Sequence, residues 1–152
     1  MAENEALVPD PRREGEPHLG VIVGAELYGL PLSRLQEVAR LTTMRRVPGS
    51  APHVAGLVSL RGEIMCALDA RTILGLPAAA QESPRFVVSL RDFDYPIGLV
   101  VDWVADIFHI DPATVEPPPS DWRDQRKACV TGAARVATRN VGLLDIDALV
   151  NR

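Results

Sequence analysis

Cys66, His53 and the carboxylates Asp69 and Asp102 are the residues from which a nucleophilic centre could be assembled: a thiol, a base to take its proton, and an acid to orient the base. Such groups need mutual hydrogen-bond reach, which spacing alone does not establish. Cys66 also lies inside the apolar run Ile64 to Leu68, where a small buried hydrophobe is the expected role. Metal chemistry has less to work with. The histidines stand far apart at His18, His53 and His109, Cys66 and Cys129 form no CxxC, and Asp92 with Asp94 lacks the remaining oxygen ligands of a calcium loop. No GxGxxG or GxxxxGK[ST] run is present to cradle a phosphate. The expectation is a protein with no catalytic residue, no metal site and no cofactor.

Charge removes two further classes. The chain has 152 residues and a net charge of −4, most of it in residues 1–18, where five acids face two arginines. The nearly neutral remainder has no field to gather nucleic acid or an anionic membrane. Its aromatic residues are not interleaved with arginines as on an RNA-binding strand. Any partner is therefore expected to be a protein surface. The acidic start is neither a signal nor a transit peptide, and the most apolar stretch, Ile97 to Ile110, is interrupted by Asp102 and Asp106, so no membrane insertion and a reducing cytoplasmic setting are expected.

One side chain retains a binding chemistry. Arg61 precedes Gly62 between the apolar runs Val54 to Leu60 and Glu63 to Asp69, the pattern of a β-hairpin. A long planar cation at its tip is placed to bridge carboxylates on two partners. Gly62 supplies the positive φ a tight turn needs.

The elements around that hairpin are short. Residues 1–18 are polar, hold three prolines and show no hydrophobic period, so they read as a disordered acidic tail preceding a domain over 19–152. Leu19, Val21, Val23, Ala25 and Leu27 alternate as in a strand with one face inward, and Gly29 and Pro31 punctuate a second short strand. Leu35, Val38 and Leu41 fit a helix as well as a strand. Asp69 to Leu74 suits one helical turn, ended by Gly75 and Pro77, with a loop over Ala78 to Pro84. Phe86 to Leu90 and Ile97 to Val101 form a hairpin about Asp92-Phe93-Asp94, with Asp102 to Ile110 extending its second strand through a bend or bulge. After the stiff Pro117-Pro118-Pro119, Val130 to Ala137 and Val141 to Leu144 form another hairpin, and Asp145 caps a final helix using Ile146, Leu149 and Val150. Four hairpins and a terminal helix make the fold mainly β, a barrel or a sandwich.

Gly56 to Arg71, reading GLVSLRGEIMCALDAR, resembles the central segment of the CheW-like family of chemotaxis coupling proteins. Leu35-Gln36-Glu37-Val38, Gly98 to Asp102, Gly132 and Gly142 to Leu149 follow the same family's order and spacing. Ser59 in place of Asn, Cys66 and Ala67 in place of a Pro-aliphatic pair, and Ala70 in place of Leu are departures from its pattern. The resemblance makes Leu35 to Leu41 a strand. It implies two packed, five-stranded, SH3-like β-barrels with short helical turns and a C-terminal helix. By function it implies a scaffold that joins the cytoplasmic tip of chemoreceptors to the regulatory domain of a CheA-type histidine kinase. Matched position by position, it marks Leu35 and Glu37 as a receptor-side strand, Gly56, Arg61 and Gly62 as the hairpin site, and Phe86 and Ile107 as apolar groove positions. Two alternatives accompany it: a divergent relative serving another motility or gene-regulation pathway, and a β-barrel protein holding a small molecule between its barrels.

Overall fold

The computed structural model describes residues 7–78 and 85–151; residues 1–6 of the expected tail, residues 79–84 of the expected loop, and residue 152 lie outside it. Ten strands run in chain order: β1 Glu16–Val23, β2 Glu26–Pro31, β3 Leu35–Arg40, β4 Val54–Leu60, β5 Glu63–Asp69, β6 Phe86–Leu90, β7 Ile97–Val101, β8 Trp103–Ile110, β9 Val130–Val136 and β10 Arg139–Leu144. Among the described residues they are accompanied by three α-helical turns, α1 Ala70–Ile73, α2 Asp124–Lys127 and α3 Ile146–Val150, and by 3-10 turns at Leu32–Arg34 and Pro112–Thr114.

The strands form two five-stranded sheets, ordered β8-β1-β2-β10-β9 and β3-β6-β7-β5-β4. Each curls until its edges meet. In the second sheet the chain leaving β3 reaches β4 through paired backbone bonds between Arg45 and Leu57, of 2.9 and 2.8 Å. In the first, the chain leaving β8 reaches β9 through a matching pair between Glu116 and Ala133, of 2.9 and 2.7 Å. Closure of this kind leaves no long unpaired edge. Both are SH3-like barrels built on one plan, in which a hairpin, a capped helical turn and a parallel pairing recur: β5 with β7, β10 with β2. Asp69 caps α1 by accepting from Arg71 N–H, and Asp145 caps α3 by accepting from Ala148 N–H.

Alternation along the strands feeds three cores. Ala39, Val58, Met65, Ala67, Val87 and Val100 fill the second barrel, and Leu27, Ile110, Ala134, Val141 and Leu143 fill the first. The opposite faces, carrying Leu19, Val21, Tyr28, Leu35, Val38, Val88 and Leu99, merge with Ile73 of α1 and Leu149 of α3 into one larger core between the barrels. Each aliphatic side chain fully buried there is worth about 1.5–3 kcal/mol, so this shared core binds the barrels to one another.

Four features depart from the sequence expectations. The first strand begins at Glu16, inside the expected tail, because β8 offers it a partner: Glu16, Pro17 and His18 pair with Ile110, His109 and Phe108. The alternation over Leu19 to Leu27 is broken into a hairpin by Gly24, whose φ of 65° a side-chain-bearing residue rarely adopts. Gly24 N–H donates to Asp102 Oδ2 at 2.6 Å. Asp102 to Ile110 does not extend β7 within its sheet; at Asp102 the chain crosses to the other barrel, and β8 pairs with β1. The turn α2 had no expectation at all, since its four residues DQRK bury nothing.

Candidate functional site

The β4–β5 hairpin turns on two residues of positive φ, Arg61 at 52° and Gly62 at 78°. That conformation matches the right-handed twist of the flanking strands and normally selects Asn or Gly. Arginine there occupies a costly backbone state, and its side chain, 65% exposed, stands out from the tip. Its Nε donates to Glu37 Oε2 at 2.7 Å. Glu37 belongs to β3, and β3 and β4 are the two edges of their sheet, so the ion pair spans the seam where the second barrel closes. An exposed pair of this kind contributes only about 0.2–1 kcal/mol, far less than one buried leucine. Stability alone gives little reason to hold an arginine in that backbone state.

Glu37 reaches the seam through a β-bulge. Between Leu35 and Glu37 the register of β3 against β6 shifts, leaving Gln36 as an extra residue. In a regular strand, Leu35 and Glu37 would share a face; the insertion reverses the alternation, so Leu35 and Val38 both enter the interbarrel core. Glu37 is thereby placed on the other side, with its carboxylate at the barrel mouth beneath Arg61.

Behind the tip, the same hairpin carries an apolar surface. Ile64 is 64% exposed and Leu57 37% exposed, and with Met44, Thr43 and Ser59 they line a shallow depression where β4 meets the chain at Arg45. Gly56 makes that junction possible: a Cβ on it would lie 2.5 Å from Arg45 O.

The expected site residues divide accordingly. Arg61, Gly62 and Glu37 come together, with Gly56 in the seam below them. Gly62 meets open space, so its role is the turn itself. Leu35 is 3% exposed and packs in the shared core. Phe86, 7% exposed, lies under the half-exposed Trp103, their rings at 89° with centroids 5.3 Å apart, and Arg40 covers it at 5.7 Å. Ile107 packs against the margin of the shared core from β8. Phe86 and Ile107 thus belong to the interbarrel side, and the outermost aromatic there is Trp103.

Leu57, Ile64 and Trp103 had no expectation attached to them. A signal existed for Ile64: β5 is apolar at successive positions from Ile64 to Leu68, so one of its two faces had to point away from the barrel interior. The residues considered for nucleophilic chemistry hold other positions. Asp69 accepts from Arg85 at 2.9 Å while capping α1, Asp102 accepts from Arg71, and burial pushes the Cys66 thiol up. Among the described residues no three His, Cys, Asp or Glu side chains are grouped to hold a metal ion, and no helix is long and apolar enough to cross a membrane.

A family model described as the CheW-like domain matches residues 17–152. The chemotaxis protein CheW of Bacillus subtilis is 21% identical over 142 residues, covering 92% of this chain and 90% of that protein. The CheW of Klebsiella aerogenes is 24% identical over 137 residues, covering 90% and 82%, and that of Treponema pallidum 26% identical over 132 residues, covering 84% and 77%. The crystal structure of the scaffolding protein TtCheW from Thermoanaerobacter tengcongensis superposes with a TM-score of 0.76 at 23% identity, covering 86% of this chain and 89% of that one. At that identity the superposition speaks for the fold.

Proposed function

This chain belongs to the CheW-like domain family, and on that premise we propose that it is a non-enzymatic cytoplasmic adaptor of chemosensory signalling, joining the cytoplasmic tip of a chemoreceptor to the regulatory domain of a CheA-type histidine kinase. The observation that carries this reading is the β4–β5 hairpin, which presents two surfaces of unlike chemistry. Its tip holds an exposed cation on a costly turn conformation, paired across the seam to Glu37. Its outer flank holds Leu57 and Ile64, apolar and uncovered. An adaptor needs two surfaces, and surfaces of different chemistry select different partners.

The Arg61–Glu37 edge, with the interbarrel side at Trp103, Phe86 and Ile107, suits a receptor's helical hairpin, whose polar and apolar faces would meet a charged pair and an aromatic margin in turn. The Leu57–Ile64 depression suits a barrel of the kinase. Arg61→Ala should shift the thermal midpoint by about 3 °C or less, the scale of an exposed ion pair, while receptor-tip capture in a pull-down falls sharply. Ile64→Glu should spare the receptor and lose the kinase domain. Unchanged capture of both partners by both variants would overturn the assignment.

A further inference from the structure

Among the described residues Ser89 and His18 are the buried polar side chains, and Ser89, at 5% exposure, lies directly opposite Glu37 in the β3–β6 register. The register shifts at Gln36, and beside that bulge the Ser89 hydroxyl bonds to both backbone groups of Glu37. Its Oγ accepts from Glu37 N–H at 3.0 Å and donates to Glu37 C=O at 3.3 Å. A hydroxyl is suited to this, offering one donor and two acceptor lone pairs from a side chain short enough to lie against the neighbouring strand. Alanine would remove both of these bonds from the backbone beside the bulge, and the backbone could then regularise toward ordinary pairing, which returns the Glu37 side chain to the face of Leu35.

We propose that Ser89 is a positioning residue for partner binding: its hydroxyl holds the β3 bulge that turns the Glu37 carboxylate to the seam and so fixes the orientation of the Arg61 guanidinium. This rests on the reading of the Arg61–Glu37 edge as a docking surface, and it assigns the control of that surface to a buried residue. It also separates two tasks within β6, whose remaining residues Phe86, Val87, Val88 and Leu90 are all core.

The test uses the full chain in three variants, Ser89→Ala, Ser89→Thr and Ser89→Ala/Arg61→Ala, read by receptor-tip pull-down and by the NMR cross-peak of Arg61 Nε–H. In the wild type that proton is held against a carboxylate and should be shifted and slow to exchange. Ser89→Ala should abolish this signature and weaken capture about tenfold, the scale of one misplaced charge-assisted hydrogen bond. Ser89→Thr, which keeps the hydroxyl, should restore both. The double variant should bind no worse than Arg61→Ala alone, because Ser89 acts only through the pair.

Ser89→Ala with the Nε–H signature and capture both intact overturns the proposal; so does a double variant that loses much more than Arg61→Ala. An Arg61→Ala that captures the receptor normally overturns the docking reading instead, and the Nε–H signature still decides the role of Ser89. Should Ser89→Ala fail to fold, amide exchange in the wild type decides: Glu37 N–H must be protected although the ladder is broken beside it, and a fast-exchanging Glu37 overturns the idea.

Discussion

Arg61 is asked for two things that conflict. As a turn residue it sits at φ 52°, where Asn or Gly would be at ease; as a side chain it is long, cationic and outward. Strain of this order, about 1–2 kcal/mol for an ordinary residue, persists where something other than the fold requires it. Arg61→Asn should therefore hold or raise the urea midpoint while lowering receptor capture, so that stability and binding move in opposite directions. A variant that lost both together would place Arg61 in the fold and not in the interface. The position was legible in the sequence because a hairpin tip is local information: two apolar runs and Arg-Gly between them. Ile64 was harder to read, since its exposure depends on which of two apolar faces the neighbouring strands leave uncovered.

Among the elements, the β4–β5 hairpin carries two glycines with different duties, and substituting each measures the difference. Gly62→Ala meets nothing within 4 Å and pays only for its backbone at φ 78°, about 1 kcal/mol. Gly56→Ala places a methyl 2.5 Å from Arg45 O, a backbone atom that cannot move without opening the seam, and should cost roughly 2–4 kcal/mol. Denaturant midpoints of the two variants check the order; equal costs would mean that the seam at Arg45 is soft. Hairpins were the readable part of the fold, because turn chemistry and period-2 alternation lie within a dozen residues. The bulge in β3 left a trace that pointed two ways. Leu35 and Val38 sit three apart on one face, which imitates a helix, and only the partner strand β6 shows the spacing to come from one inserted residue. The crossing at Asp102 left less, since β7 and β8 read as one apolar strand until β1 claims the second half.

On the scale of the whole molecule, the two barrels are clasped at equivalent places with opposite polarity. Arg71, two residues beyond the cap of α1, donates to Asp102 at 2.9 Å, where the chain leaves β7 for the other barrel. Asp147, two residues beyond the cap of α3, accepts from Arg34 at 3.1 and 3.0 Å, where the chain has left β2 for the other barrel. Arg34 also faces Asp92 at 3.4 Å and covers the Phe93 ring at 5.1 Å, so this clasp reaches the β6–β7 turn as well. Hydrogen bonding to Arg34 holds the Asp147 carboxyl below its ordinary value of 3.8. A carboxylate with a lowered folded value stabilises the fold above the ordinary value, and that contribution disappears as pH falls through the lowered one. Asp147→Asn should therefore reduce stability at pH 7 and flatten its decline below about pH 4, seen as thermal midpoints across pH; an unchanged acid limb would remove the clasp from the account.

The second barrel, β3 to β7, is one unbroken stretch of chain, whereas the first is assembled from β1 and β2 at one end and β8 to β10 at the other. During synthesis the ribosome therefore releases a complete second barrel while β1 and β2 are still waiting for the strands that flank them. In that interval the nascent β1–β2 hairpin can shelter Leu19, Val21, Tyr28 and Leu30 against the finished barrel, through the core the two will share. The older barrel then serves as the mould on which the younger one is cast, and the Arg61–Glu37 edge is in place before the other half exists.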